Sequence, residues 1–453
     1  MRLRPRRHLR PHLLCALTAT ALISVTPATA TAEESDTGTL TVTTTPPQTA
    51  LSGRPDAPVT DDCPWATSPV EPVDTSEIPT DGRPAPMPLP VPDVPAGGPA
   101  MAECGVVAAP GFIVPEEQTA TAWIVFDLDD GEVIAAKDPH GRYRPASIIK
   151  ALLAMVVLER LPLDREVVAT HDSAAMEGSR VGIIEDGHYT VEQLLQGLLM
   201  ASGNDAAHAL AQELGGDQRA LELVNAKARE LGTQDTRVAD YTGLDGPGMS
   251  TSPFDLALIY RAAWGNPVFA RIVDTDFVDF PGGPDHEGFQ VWNDNHLLLN
   301  DPDGIGGKTG FTDDARHTFV GAKNVDGRRL AAVILDTTID RGRPWEQARR
   351  LLDAAYPVPR GSGIGVVEKL PETSTPLSPG VTPTTPTAAA APETAAGAGA
   401  PTAPAAQSSE WRPAAVTTGV LFLVVLLAGL ALNRKLGGRR RHGTRRREVR
   451  RRR

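Results

Sequence analysis

The sequence predicts an α+β fold: an antiparallel sheet flanked by helices, with an all-helical lobe inserted between its strands. Strand-like runs lie near both ends of segment 111–356, and helix-period runs fill its middle. Proline mostly avoids it: 24 of the chain's 41 prolines fall in 41–100 and 371–413, stretches that cannot build a packed core of their own. Taken in order, 121–128 and 132–136 read as two strands joined by an Asp-Gly turn at Asp130 and Gly131. A helix over 146–161 follows, with Pro145 at its entry and Pro162 closing it. Further helices fit 191–200 and 205–214, separated by Ala201-Ser-Gly-Asn204, and then 219–231 and 253–264. The chain returns to strands at 318–323 and 329–335 and ends the block with a helix at 344–355.

The flanks read as addresses. Residues 1–30 carry five arginines, a short apolar run and small residues around Ala28 and Ala30, the pattern of a secretory signal peptide. Near the other end, 21 residues (413–433) separate Arg412 from Arg434, enough for a helix to cross roughly 30 Å of hydrocarbon. The basic tail 434–453 places that end in the cytoplasm, so the expected topology is single-pass type I with the body facing outward. Between block and span, 357–412 is a Pro/Ala/Thr-rich disordered tether. The formal charge of -12 hides a body at -28 over residues 31–433, which speaks against nucleic acid as a partner. Residues 31–110 form a Pro-rich extension holding Cys63 and Cys104, the two cysteines outside the leader. On the oxidising side of a membrane they are expected to pair as a disulfide rather than remain free thiols.

Three polar stations punctuate the block. In Ser147-Ile-Ile-Lys150, positions i and i+3 share a helix face, and a lysine flanked by Ile148, Ile149 and the apolar run to Leu158 is desolvated towards a neutral base. The second station, Ser202-Gly-Asn204, occupies the break between two helices. The third, Lys308-Thr-Gly310, follows Gly304-Ile-Gly-Gly307 and offers a charge and a hydroxyl to a carboxylate, while glycine lets a substrate approach the strand edge. The seven histidines of the exported part (140, 171, 188, 208, 286, 296 and 317), out of ten in the chain, have no metal-ligand spacing and read as surface or packed residues, so no metal or cofactor is expected.

In order and spacing the stations resemble the penicillin-recognising serine enzymes with their S-x-x-K, S-x-N and K-T-G motifs. Within that group the chain resembles the D-alanyl-D-alanine carboxypeptidases of peptidase family S11. Glu177-Gly-Ser-Arg-Val-Gly182, the run from Tyr189 to Ala207, Gly243-Leu-Asp245, Ser250-Thr251 with Asp255, Asn293-Asp-Asn295 and Gly307-Lys-Thr-Gly-Phe-Thr312 carry the likeness over 111–356. The resemblance implies a β-lactamase/transpeptidase-like fold with the active site between the lobes. It implies Ser147 as acyl-ester nucleophile, Lys150 as proton acceptor, Ser202 as proton relay and Asn204 as orienter of the substrate amide. It further implies Lys308, Thr309 and Gly310 as binders of the substrate terminus, and the N–H groups of Ser147 and Phe311 as the oxyanion hole. Expected partners are a peptidoglycan stem ending in D-Ala-D-Ala, β-lactams as covalent inhibitors, and the cytoplasmic membrane. Some family members carry a β-rich second domain and an amphipathic anchor, which the tether and span replace here. A D,D-endopeptidase would use the same machinery. A β-lactamase of the S-D-N type is disfavoured by Gly203 and by the lack of an E-x-x-L-N segment near 237–244. A non-catalytic penicillin sensor is disfavoured by the short cytoplasmic tail.

Overall fold

The computed structural model describes residues 53–370, apart from 81 and 284. The leader, most of the tether, the apolar span and the basic tail lie outside the described residues. Among the described residues no helix is long and apolar enough to cross a membrane.

The strands are β1 (Val106–Ala108), β2 (Ala122–Asp127), β3 (Glu132–Lys137), β4 (Glu166–Val168), β5 (His188–Thr190), β6 (Phe277–Phe280), β7 (Phe289–Trp292), β8 (Gly304–Thr312), β9 (Arg316–Val325), β10 (Arg328–Thr337) and β11 (Gly365–Val366). The α-helices are α1 (Lys150–Arg160), α2 (His171–Ala174), α3 (Val191–Met200), α4 (Asn204–Glu213), α5 (Asp217–Leu231), α6 (Pro253–Gly265), α7 (Pro267–Val273), α8 (His296–Asn300) and α9 (Pro344–Ala355). The main sheet runs β1-β3-β2-β10-β9-β8, with β11 also on β3, and its pairings are antiparallel. Helices α1 to α8 lie between β3 and β8 in the chain, so the sheet and helical lobe expected from the sequence are both present.

Both sheet faces are covered, which explains why β2 and β10 read as continuous apolar runs. Trp123, Val125, Phe319 and Ile334 pack with Leu351 and Leu352 of α9, while Ile124, Phe126 and Val333 join the core shared with α1, α3, α4 and α6. The edge strand β8 is where the lobes meet, beside the 3₁₀ turn Ala146–Ile149 that leads into α1.

Two differences from the sequence reading have physical causes. The predicted helix over 146–161 begins as that 3₁₀ turn and becomes α-helical only at Lys150. The sheet also reaches past 111–356, because β1 and β11 are short strands held by backbone hydrogen bonds, with no periodic apolar pattern to betray them. Residues 53–105 lie along the block as a strap, closed by a disulfide between Cys63 and Cys104, whose Cα atoms are 5.2 Å apart. The strap is held by polar anchors more than by a core of its own. Arg142, 1% exposed, donates to the carbonyls of Thr67 and Pro90 at 2.8 Å, and Trp65 packs on Tyr143 with ring centroids 5.7 Å apart.

Candidate active site

The first station is built by tight backbone. Ala146 has φ +49°, and the 3₁₀ turn after it stacks residues three apart directly over one another. Lys150 Nζ therefore lies 2.7 Å from Ser147 Oγ. The amine also bonds the carbonyl of Thr242, which is 3.4 Å from Ser147 Oγ. Two glycines allow these approaches: a Cβ on Gly243 would fall 2.1 Å from the Ala146 carbonyl oxygen, and one on Gly310 would fall 3.0 Å from the Ser147 nitrogen. Lys150 is fully buried, and burial, followed by the charge of Lys308, pushes its amine well below the ordinary lysine range. A neutral amine touching a serine hydroxyl can accept that hydroxyl's proton.

At the second station Ser202 has φ +59° in the break after α3, and Asn204 opens α4. Asn204 Nδ2 donates to the Glu177 carbonyl at 2.7 Å, while its buried Oδ1 has no partner among the described residues. An unpaired buried acceptor costs stability, and a substrate N–H would satisfy it. Asp205 stands next to it. Its carboxylate accepts the N–H groups of Val181, Gly182 and Ile183 at 2.9, 2.7 and 3.1 Å, pinning the loop that carries Glu177 over the start of α4. A Cβ at Gly203 would come 2.6 Å from Asp205 Oδ1, so the middle residue of this station is glycine for steric reasons.

The third station lies on β8 itself, a strand the sequence reading did not delimit. Glycines 304, 306 and 307 masked that strand in the sequence because they weaken any β signal. Lys308 is buried with Nζ 3.0 Å from the Thr309 carbonyl and 3.8 Å from Asp294 Oδ2; burial lowers its pKa and the Asp294 charge partly opposes this. Thr309 Oγ1 donates to Asp294 Oδ2 at 2.7 Å. Phe311 is half exposed, its ring 4.7 Å from that of His317, and Thr312 Oγ1 donates to Asp245 at 2.9 Å. Burial raises the Asp245 carboxyl to about 6.

The stations converge. The charges of Lys308, Asp294 and Asp205 all act on the Lys150 amine. The Asp294 N–H donates to the Met200 carbonyl at 2.8 Å, tying the end of α3, two residues before Ser202, to the carboxylate that holds Thr309. Sequence reasoning quoted Asp294 and Asp205 within longer motifs but gave them no task. It also missed Arg343. With Asp294, Thr309, Gly310, His317 and Trp345, Arg343 lines a cavity of about 310 Å³. His296 and His317, read as surface or packed residues, border this cavity too. Its only sequence signal is a cation just before Pro344 at a helix start. Among the described residues no cluster of three His, Cys, Asp or Glu side chains could hold a metal ion.

A sequence profile of the D-alanyl-D-alanine carboxypeptidases, Peptidase S11, matches residues 109–338. The D-alanyl-D-alanine carboxypeptidase DacB2 of Mycobacterium tuberculosis is 41% identical over 268 residues, covering 58% of this chain and 91% of that protein. A D-alanyl-D-alanine endopeptidase of Escherichia coli is 33% identical over 228 residues, 49% of this chain and 72% of that one. The crystal structure of a D-alanyl-D-alanine carboxypeptidase from M. tuberculosis H37Rv superposes with a TM-score of 0.55 at 41% identity, covering 57% of this chain and 99% of that one.

Proposed function

This chain belongs to peptidase family S11, the D-alanyl-D-alanine carboxypeptidases, and we propose that it removes the terminal D-alanine of peptidoglycan stem peptides through an acyl-enzyme on Ser147. The observation that carries the assignment is the 2.7 Å contact between Ser147 Oγ and a buried Lys150 amine. Lys150 takes the hydroxyl proton as Oγ attacks the penultimate D-alanine carbonyl. The N–H groups of Ser147 and Phe311 hold the oxyanion, the former at the start of a helical turn. Asn204 Oδ1, without a partner among the described residues, accepts the substrate amide N–H. As the C–N bond breaks, Ser202 relays a proton to the leaving amine beside Lys308, and water then releases the shortened stem. The terminal carboxylate is held by Thr309, with Lys308 and Arg343 as the nearby cations. A β-lactam acylates the same oxygen, and it leaves slowly because its leaving nitrogen, part of the opened ring, stays tethered to the acyl group instead of departing to make room for water.

The signal peptide, the membrane span at 413–433 and a catalytic body facing the wall are part of this reading, supported by the charge and hydropathy pattern of the sequence. A second reading, endopeptidase action on cross-linked stems, is favoured by the cavity of about 310 Å³ that Thr309 and Gly310 help to line.

The test is covalent labelling with a fluorescent penicillin together with D-alanine release from a pentapeptide, for wild type and Ser147→Ala. The substitution should abolish both, and labelling that survives it refutes the nucleophile assignment. Purified cross-linked muropeptides separate the two activities by yielding free D-alanine or split dimers.

A further inference from the structure

The β6–β7 hairpin has two faces of different character. Val278, Val291 and Phe280 point inward, and Phe280 stacks on Tyr189 with centroids 5.5 Å apart. The opposite face shows Phe277 and Trp292 as a directly paired, stacked couple, centroids 4.8 Å apart and planes at 30°, yet 42% and 55% exposed. Beside them on that face, Gln290 Nε2 lies 3.4 Å from Asp279 Oδ1, both side chains exposed. A stacked aromatic pair left in water next to an amide and a carboxylate is an unpartnered surface with a definite chemistry.

The hairpin that carries this face is joined to the active site through the chain. Trp292 is two residues from Asp294, which holds Thr309. The base of the hairpin is fixed by the Asn293 N–H on the Asp276 carbonyl at 2.8 Å and by Asn293 Nδ2 on the Val273 and Thr275 carbonyls. Its other end lies on the loop that Asp205 pins beside Asn204, where the Phe289 ring stands 3.4 Å from where a Gly182 Cβ would be.

We propose that the Phe277–Trp292 face is a glycan subsite: it binds a pyranose of the wall strand that carries the stem peptide being cut. In β-1,4-linked amino sugars the ring substituents are equatorial, so each ring offers a flat, slightly positive C–H face that matches the negative face of an aromatic ring. Asp279 and Gln290 then serve the hydroxyl and acetamide groups at the ring edge. A lipid surface is disfavoured, since docking there would bury Asp279 and press an acidic body against anionic headgroups. The proposal rests on the carboxypeptidase reading of the neighbouring site.

The test compares D-alanine release by the full chain in detergent from a free pentapeptide and from the same pentapeptide carried on a wall-glycan tetrasaccharide. Wild type should prefer the glycan-carried substrate. Trp292→Ala should lose roughly three- to tenfold in kcat/KM on that substrate, mostly through KM, and keep its rate on the free peptide; Trp292→Phe should retain most of the preference. Equal loss on both substrates, or none on either, overturns the proposal. So does a preference that appears only after reconstitution into phospholipid vesicles, which would mean that the face meets lipid. If wild type releases D-alanine from neither substrate, the underlying activity fails and the proposal falls with it; intact turnover without preference sinks the glycan subsite alone.

Discussion

Asp294→Asn isolates the electrostatics of the third station. The carboxylate is the anion 3.8 Å from the buried Lys308 amine and the acceptor of the Thr309 hydroxyl at 2.7 Å. An amide oxygen can keep the second contact, so the substitution removes charge with little loss of geometry. At an effective dielectric constant of about 20, a charge pair at that distance interacts by about 4 kcal/mol. The carboxylate is 33% exposed, and solvent screening leaves a fraction of this, on the order of 1 to 2 kcal/mol, or about one pH unit. The sign is fixed: removing an anion destabilises the ammonium form, so the Lys308 pKa falls. If Lys308 must be charged to draw the substrate carboxylate, the alkaline limb of kcat/KM for D-alanine release moves down by about one unit. Asp294 also raises the pKa of Lys150, behind Asp240 among the anions acting on it, so the acid limb moves the same way by less. An alkaline limb that stays in place or moves upward refutes the electrostatic role of Asp294.

Lys150→Met should abolish penicillin labelling and remove a pH dependence of stability. The folded pKa of Lys150 lies well below its ordinary 10.5, so between those values the unfolded chain binds the extra proton and wild-type stability rises with pH, at up to about 1.4 kcal/mol per unit. The variant loses this slope, which urea titrations across that window would reveal. Replacing Cys63 and Cys104 by alanine opens a cross-link between residues 41 apart and should cost about 4 kcal/mol in the chain-entropy model; a loss below about 1 kcal/mol in denaturant titration would mean that the strap's polar anchors hold it without the bond. Gly310→Ala sets a Cβ 2.3 Å from Thr318 Oγ1 and 3.0 Å from the Ser147 nitrogen. Displacement at that point should slow penicillin acylation by about a hundredfold, while circular dichroism keeps its native shape; acylation at the wild-type rate would show that the close approach is unnecessary.

What could be read from the sequence follows from how each feature is encoded. Helices with an apolar face or a proline at the first turn were legible: α3 begins at Val191 and ends at Met200 as expected, and α9 runs Pro344–Ala355. The pairing of Ser147 with Lys150 was legible because a lysine inside an apolar run has few structural explanations. Features built from glycine or from backbone pairing were not. Strand β8 carries the third station, yet four of its nine residues are glycine. The β6–β7 hairpin has one apolar and one mixed face and an irregular connection that hides its pairing. Asp205 bonds the backbone of Val181, Gly182 and Ile183, 22 to 24 positions away in the chain, and no local pattern announces such a contact.

The site gathers features that each oppose folding. Ala146 and Ser202 sit in left-handed backbone conformations, costing about 1–3 kcal/mol each, Lys150 and Lys308 are buried amines, and Asn204 leaves an acceptor unpaired. Strain persists only where the surroundings over-determine it, and here the over-determination begins immediately before Ser147. Arg142, Tyr143 and Arg144 are buried under the strap, and Arg142 is bonded to three strap carbonyls as well as to Asp235. Arg144 pairs with Glu77 and donates to the Val70 carbonyl. From Arg144 to Ser147 there are only three peptide units, too short a length of chain to absorb much displacement. The strap therefore restrains the serine as well as the fold, and loosening it through the cysteine pair should lower the acylation rate before the protein as a whole begins to unfold.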